Sequence, residues 1–259
     1  MADLNQILDD LAAEHAALDS VVAELTAEQW DLMTLAEGWS IKDQISHIAF
    51  FDERAAEAAS DASAFMAGVA EAAADPGAYM EGALGRDREG PPLDWWREAR
   101  TQMIEVFRPM DVKARIPWYG PPMSTASFAT ARLMETWAHG QDVIDALGVS
   151  REPTDRLRHI AHLGVRTRNF SFVNRGLPEP EGDVRVELLA PSGEVWVWGA
   201  EQDASRIAGT ALDFCLVVAQ RRHIDDTDLV VEGDAAGEWM RVAQAFAGPP
   251  GAGREPQEK

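Results

Sequence analysis

The sequence predicts an α+β protein in which an N-terminal helical bundle is followed by a small α/β domain. Three observations lead to this class. Apolar residues recur at helical spacing through most of the chain up to Gly176, a Pro- and Gly-rich stretch follows, and apolar residues then alternate over short strand-like segments. We therefore expect a bundle over residues 1–177, an α/β domain over 183–248 and a disordered tail over 249–259.

The bundle is predicted to have a four-helix core and one extra helix. The second helix has a clear start, because Ser40 and Asp43 can cap its first turn reciprocally. The proline-rich aromatic segment 116–122 cannot be helical. The five predicted helices cover residues 4–27, 40–72, 93–107, 124–147 (ended by Gly148) and 153–174 (with Pro153 in the first turn).

The second domain is predicted to mix strands and helices. Alternating apolar residues on either side of a Pro-Ser-Gly turn indicate a β-hairpin. The predicted elements are strands over 184–188 and 194–198, a helix over 207–220, a strand over 229–231 and a helix over 238–246.

Composition excludes several classes of partner. The chain carries 23 Lys and Arg against 44 Asp and Glu, a formal net charge of −21. Such a surface repels nucleic acid and anionic lipid, so neither is an expected partner. The sequence has no signal-peptide pattern and no apolar run long enough to span a membrane, which predicts a cytoplasmic protein. The only cysteine, Cys215, lies in an apolar run and is predicted to be an inert core residue.

Glu135 and His139 are the most informative residues of the chain. On a helix, Glu135, His139 and Asp142 fall within roughly 60° of one another, as metal-binding helices require. The alternative is an ordinary surface ion pair between Glu135 and His139. Asp142 could be a ligand, a hydrogen-bond partner of His139 or an exposed charge.

His47 on the second predicted helix could complete a His, Glu and His ligand set. It lies at the border of the apolar stripe, so it could equally be a solvated edge residue. Asp52 falls inside that stripe and needs a partner, and a bond to a ligand histidine would supply one. The histidines at positions 15, 159 and 223 show no supporting pattern.

Two segments resemble a known family. Residues 38–52 (GWSIKDQISHIAFFD) resemble the first signature of the DinB-like four-helix-bundle metal proteins, and residues 135–142 (ETWAHGQD) the second signature of their mycothiol-dependent maleylpyruvate isomerase branch. The resemblance implies a DinB-like bundle with a smaller second domain, and His47, Glu135 and His139 as ligands of a divalent metal, zinc for this family. Ligand chemistry alone also allows nickel or iron(II).

The expected function is that of a metal-dependent enzyme acting on a small electrophilic substrate. A site with one protein negative charge leaves a divalent ion able to promote deprotonation of water or a thiol. Because Cys215 is the only cysteine, the thiol would be a small cofactor, and the resemblance suggests mycothiol or another low-molecular-weight thiol. The reaction would be an isomerisation or an S-transfer. The alternatives are a metal- or ligand-binding module without turnover and a structural bundle with a buried polar network.

The sequence offers further candidates for anion binding and for the walls of a pocket. Arg221 and Arg222 could bind an anionic group in catalysis, or could instead interact with the dipole at the end of their helix. The candidate pocket walls are Trp39, Trp118 and Trp137, each of which could also be a plain core residue.

Overall fold

Amphipathic helices dominate the first part of the chain, and a small mixed sheet follows them. The computed structural model describes residues 3–257. The chain divides into two compact units, residues 1–150 and 151–259. The first unit contains α1 (Leu4–Val22), α2 (Ala27–Trp30), α3 (Ile41–Ser60), α4 (Ala62–Ala74), α5 (Pro76–Ala83), α6 (Pro92–Phe107), β1 (Arg115–Ile116), β2 (Met123–Ser124) and α7 (Thr125–Leu147). The second contains α8 (Leu157–Arg166), α9 (Arg168–Val173), β3 (Val184–Leu189), β4 (Val195–Trp198), β5 (Ser205–Thr210), α10 (Ala211–Val218), a 3₁₀ turn (Ile224–Asp226), β6 (Val230–Glu232) and α11 (Asp234–Val242).

Helices α1, α3, α6 and α7 form the predicted four-helix core. Their inward faces meet in one apolar cluster that includes Leu18, Ile45, Trp96 and Val143. Full burial of such side chains stabilises each by roughly 1.5–3 kcal/mol relative to exposure. The predicted α+β class with a helical N-terminal part is therefore confirmed. Among the described residues, no helix is both long and apolar enough to cross a membrane.

The ends of α3 and α7 follow the capping signals of the sequence. The Ser40 side chain accepts a hydrogen bond from the Asp43 amide, and the Asp43 carboxylate accepts one from the Ser40 amide. Gly148 ends α7 in the left-handed region, at φ 64°, where a residue with a side chain would be strained.

Two helix boundaries differ from the prediction. The second predicted helix stops at Ser60, and α4 starts anew because the Asp61 side chain accepts from the amides of Ser63 and Ala64. The segment between residues 72 and 93, to which the sequence assigned no helix, contains α5, whose first residue is Pro76. Proline is tolerated there because a first-turn amide needs no helical partner.

The sheet has the strand order β4-β3-β5-β6. The predicted hairpin is confirmed as the antiparallel pair β3 and β4, and β6 lies one residue beyond the strand predicted over 229–231. The helix predicted to start at Ile207 is wrong in its first turn, because residues 205–210 form β5, parallel to β3. The extra helix of the prediction corresponds to α8 and α9, which group with the sheet in the second unit.

The predicted disordered tail makes contacts where it is described. Residues 249–257 have no helix or strand. The Arg175 guanidinium donates to the carbonyl of Gly251 at 2.9 Å, and the Gln257 amide donates to the Asp226 carboxylate at 3.0 Å. Residues 258 and 259 lie outside the described part of the chain.

A charged cluster lies inside the bundle. The carboxylate of Asp52 on α3 is fully buried and accepts from Nε of Arg132 on α7 at 2.9 Å and from Nε1 of Trp96 on α6 at 3.2 Å. Nε2 of His15 on α1 lies 3.9 Å from the same carboxylate. These four side chains together link all four core helices, and Asp52 obtains the partner that its place in an apolar stripe demands.

His15 should make the stability of the bundle pH-dependent. Burial, and then the charges of Arg100 and Arg132, hold the pKa of His15 well below its usual value. The unfolded chain therefore binds a proton near pH 6.5 that the folded chain does not. Stability is present above that pH and is lost as the pH falls through it, by up to about 1.4 kcal/mol per pH unit.

Urea unfolding at pH 7 and pH 5.5 measures this effect. Burial raises the pKa of Asp52, so protonation of that carboxyl favours the folded state as the pH falls and opposes the effect of His15. The comparison is therefore made at pH 5.5 and above. The wild type is expected to lose stability across this range, and the His15→Phe variant to lose less. An equal loss in both proteins would show that His15 does not carry the dependence.

Candidate metal centre

Helix α7 places two of the predicted ligands one turn apart. Nε2 of His139 lies 3.3 Å from Oε2 of Glu135. The His139 side chain is 10 % exposed and that of Glu135 is 24 % exposed. The pair is therefore a half-buried one at the edge of the bundle interior, rather than a solvated surface pair.

Helix α3 brings the third predicted ligand to the same place. The ring centroids of His47 and His139 are 4.7 Å apart, with 51° between the ring planes. The structure thus gathers His47, Glu135 and His139 from two packed helices. Within residues 3–257, no group of three or more His, Cys, Asp or Glu side chains has the arrangement of a metal site. The three residues are neighbours, and their role as ligands stays a prediction.

Trp39 covers both imidazoles. Its ring stacks on His139 at 6.0 Å and 10°, and lies 4.8 Å from the ring of His47. Trp39 is fixed in the turn before α3, where its carbonyl accepts from the amide of Thr34 at 2.8 Å. The predicted pocket residue Trp39 is thus in ring contact with both candidate histidine ligands.

Trp118 lies one ring further out. Phe51 contacts His47 at 4.7 Å and Trp118 at 6.1 Å between centroids. Beyond them, the hydroxyl groups of Tyr79 on α5 and Tyr119 are hydrogen-bonded. An aromatic wall thus extends from His47 to the loop between β1 and β2. The third predicted pocket residue, Trp137, is buried two positions from both Glu135 and His139, on the other side of α7.

Gln44 is a neighbour of His139 that the sequence did not predict. Nδ1 of His139 lies 2.6 Å from Oε1 of Gln44, which is fully buried on α3. Gln44 thereby makes the hydrogen bond to a site histidine that the sequence suggested for Asp52, whose carboxylate contacts Arg132, Trp96 and His15. Asp142 is buried one turn after His139, and its assistance to the ligands stays a prediction. The sequence did contain a signal for this contact. Gln44 is a polar residue in the first turn of the predicted helix, on nearly the same side of that helix as His47.

Arg86 fixes the beginning of α3 from outside the core helices. Its Nε donates to Asp43 at 3.0 Å, and its NH2 group donates to the carbonyl of Gly38 at 2.9 Å. Gly38 itself has φ 76°, a conformation that favours glycine. These bonds set the direction in which the chain enters α3, and with it the position of Trp39.

A second basic feature lies within the C-terminal unit. A cavity of about 360 Å³ is lined by Arg175, Arg222, Arg241 and Arg254, together with His223 and a single acidic residue, Asp225. Such a concentration of arginine stands out in a chain of net charge −21. Arginine clusters are suited to carboxylate and phosphate groups. The cavity therefore has the chemistry of a small anion site, and it includes one of the two predicted arginines.

The residues beside Trp39 fit a divalent metal by the chemistry of their donors. Two imidazoles and one carboxylate are the set that binds zinc in catalytic sites with an open position. The 3.3 Å approach of His139 Nε2 to the Glu135 carboxylate shows that both donors face the same point.

The sequence model of the mycothiol maleylpyruvate isomerase N-terminal domain matches residues 11–144. The match covers α3 and α6 in full, α1 from Leu11 onwards and α7 as far as Ile144, and so includes His47, Glu135 and His139.

Two relatives come from Mycobacterium tuberculosis. They are the uncharacterized protein MT0041 (strain CDC 1551 / Oshkosh) and the uncharacterized protein Rv0036c (strain ATCC 25618 / H37Rv). Each is 45 % identical over 257 residues, which cover 98 % of this chain and 100 % of the relative. The similarity thus extends through both units.

The fold is that of a solved enzyme. The crystal structure of the mycothiol-dependent maleylpyruvate isomerase superimposes with a TM-score of 0.59 at 14 % identity, covering 88 % of this chain and 93 % of that chain. A variant of that enzyme with one histidine replaced by alanine gives a TM-score of 0.58 at 13 % identity, with the same coverage. These likenesses establish the fold of the chain.

Proposed function

The chain belongs to the family of the mycothiol maleylpyruvate isomerase N-terminal domain, and we propose that it is a cytoplasmic, metal-dependent enzyme that uses a low-molecular-weight thiol. The observation that carries the proposal is the convergence of His139 on its neighbours, with Glu135 at 3.3 Å and the ring of His47 at 4.7 Å. The substrate would be a small electrophile, and the reaction an isomerisation or an S-transfer.

His47, Glu135 and His139 would hold the metal, with zinc the preferred ion for this donor set. A bound divalent ion lowers the pKa of a coordinated water or thiol, so that the nucleophilic anion forms near neutral pH. The chain's own contribution is to orient the donors and exclude water. Trp39 lies against both imidazoles, and the buried Asp142, one turn beyond His139, would help to orient the ligands.

The thiol must be a separate small molecule. Cys215 is fully buried, its Sγ donates to the carbonyl of Leu157 at 3.4 Å, and burial raises the pKa of its thiol well above the usual value. Such a cysteine forms no thiolate at neutral pH and has no access to a substrate. Mycothiol is the leading candidate because the name of the family and that of the enzyme with the same fold include it.

Arg222 is proposed to hold an anionic group of the substrate or thiol, in the cavity that it shares with three other arginines. Arg221 precedes it and donates to the carbonyl of Ala219 at 2.7 Å. Arg222 likewise donates to the carbonyl of Arg221 at 2.7 Å, so these bonds do not distinguish the two. Arg222 is the stronger candidate because it lines the cavity and Arg221 does not.

Maleate binding tests the role of Arg222. Isothermal titration calorimetry is expected to give an affinity for Arg222→Gln that is about tenfold to a hundredfold weaker than for the wild type, as one charge-assisted hydrogen bond is lost. Arg206→Gln is the matched control, because Arg206 bonds Glu187 in the sheet. Equal maleate affinities in the wild type and Arg222→Gln would contradict the assignment.

Elemental analysis and a turnover screen test the proposed function as a whole. The purified protein, dialysed against metal-free buffer, is expected to retain a stoichiometric divalent metal. It is then incubated with maleylpyruvate-like and epoxide-like electrophiles, with and without mycothiol. Retained metal without thiol-dependent turnover would favour a non-catalytic binding module. Absence of metal after reconstitution with zinc would favour a structural bundle with a buried polar network.

A further inference from the structure

Gln44 occupies an unusual place for an amide, fully buried between α3 and the candidate site. Its Oε1 lies 2.6 Å from Nδ1 of His139. An amide oxygen can only accept, so this contact requires a hydrogen on Nδ1. The assignment therefore depends on which way the amide of Gln44 points.

The orientation of that amide is fixed by its other neighbour. Nε2 of Gln44 donates to Oγ1 of Thr34 at 2.9 Å. The Thr34 hydroxyl gives its own hydrogen to the carbonyl of Trp39, 2.9 Å away, so towards Gln44 it can only accept. With a flipped amide, the Thr34 hydroxyl would have to give its hydrogen to Oε1 instead of the Trp39 carbonyl, which would keep only its bond from the Thr34 amide. The observed sense therefore keeps one more hydrogen bond along Trp39–Thr34–Gln44–His139 than the flipped one.

A hydrogen on Nδ1 of His139 determines the state of the other ring nitrogen, Nε2. A neutral imidazole with hydrogen on Nδ1 carries its lone pair on Nε2, the atom 3.3 Å from the Glu135 carboxylate. That carboxylate is a competing acceptor in the metal-free protein, and the shorter contact of Nδ1 with Gln44, 2.6 Å, favours hydrogen on Nδ1. The ring cannot rotate easily, because Trp39 stacks on its face. The geometry points to Gln44 as a positioning residue that selects the Nδ1–H tautomer of His139 and presents Nε2 as the metal-binding atom. This inference deepens the proposed metal site and rests on it only for its second measurement.

The first measurement is the tautomer in the metal-free protein. Nitrogen-15 correlation spectra are recorded at about pH 8.5, two units above the usual histidine pKa. We expect Nδ1–H for His139 in the wild type, and a shift towards Nε2–H in Gln44→Met, which keeps the length of the side chain and removes the acceptor. Gln44→Glu restores an acceptor and should keep Nδ1–H. Gln141→Met is the matched control, since Gln141 points away from His139 by helical spacing.

The second measurement is zinc affinity by competition with a chelator. Loss of a bond that orients a ligand histidine weakens binding by about 10–100-fold, which is the effect expected for Gln44→Met. Gln44→Glu and Gln141→Met should bind zinc much more tightly than Gln44→Met. Circular dichroism checks that each variant is folded. Should Gln44→Met fail to fold, Thr34→Val leaves Gln44 in place, frees its amide to flip, and should move the tautomer in the same direction.

The outcomes separate this inference from the proposed function. Nε2–H in the wild type would overturn the role of Gln44, as would a tautomer or zinc affinity that Gln44→Met leaves unchanged. A wild type with the expected tautomer but no zinc binding would refute the metal site while supporting the tautomer selection by Gln44. The expected tautomer together with the 10–100-fold loss of affinity would support both.

Discussion

Replacing Arg132 by Met is expected to lower the free energy of unfolding by about 3–5 kcal/mol, because the variant leaves the buried Asp52 carboxylate without its cation. Asp52 is fully buried, and Nε of Arg132 donates to it at 2.9 Å. Urea unfolding at pH 7, followed by circular dichroism, measures the change. Methionine fills much of the volume of the arginine stem, so the loss reports the charge and not a cavity.

A partly exposed ion pair within a single helix provides the matched control. Arg54 pairs with Glu57 on the same helix at 2.8 Å, with a quarter of each side chain exposed. Arg54→Met is expected to cost less than about 1 kcal/mol. Adding Asp52→Leu to Arg132→Met should restore part of the lost stability, since no unpaired charge then remains buried. A loss for Arg132→Met no larger than that for Arg54→Met would show that the pair is not a main support of the bundle.

The second large effect is expected on metal binding. His139→Ala removes one of three proposed protein ligands, and zinc affinity should fall by about 100–1,000-fold, or roughly 3–4 kcal/mol, a share of the 10–16 kcal/mol typical of zinc sites with four ligands. Chelator competition and elemental analysis after dialysis both measure it. Glu135→Gln should show a comparable loss, since it removes the only negative charge of the donor set.

His159→Ala controls for loss of an unrelated histidine, because His159 lies on α8 in the second unit. It should retain the wild-type metal content. Full retention of metal by His139→Ala would show that the ligand assignment is wrong, whatever the metal content of the other variants.

The sequence was most informative where a local signal decides the structure. The capping pair Ser40 and Asp43 and the terminal Gly148 act within one turn of the backbone, and the start of α3 and both ends of α7 were predicted closely. The i,i+4 spacing of Glu135 and His139 is equally local, since a helix alone brings such side chains together.

Elements that depend on distant partners were harder to predict. Residues 207–210 have no local preference strong enough to distinguish a helix from a strand, and their pairing with β3 decides for the strand. The contact of Gln44 with His139 joins residues 95 positions apart, and that of Arg132 with Asp52 joins residues 80 apart. Polar residues on apolar faces indicate that partners exist, but the three-dimensional packing of α3 against α7 selects them.

The hydrogen bonds from Arg86 to Gly38 and Asp43 determine which segments would have to be included if the site were transferred to another protein. A transplant that carried only the candidate ligands and their two helices would leave the entrance to α3 unheld, and Trp39 and Thr34 would lose the turn that aligns them. The smallest portable unit therefore includes the turn over residues 34–40 and a guanidinium supplied from a third segment. In a designed four-helix scaffold, that guanidinium would have to be added on purpose.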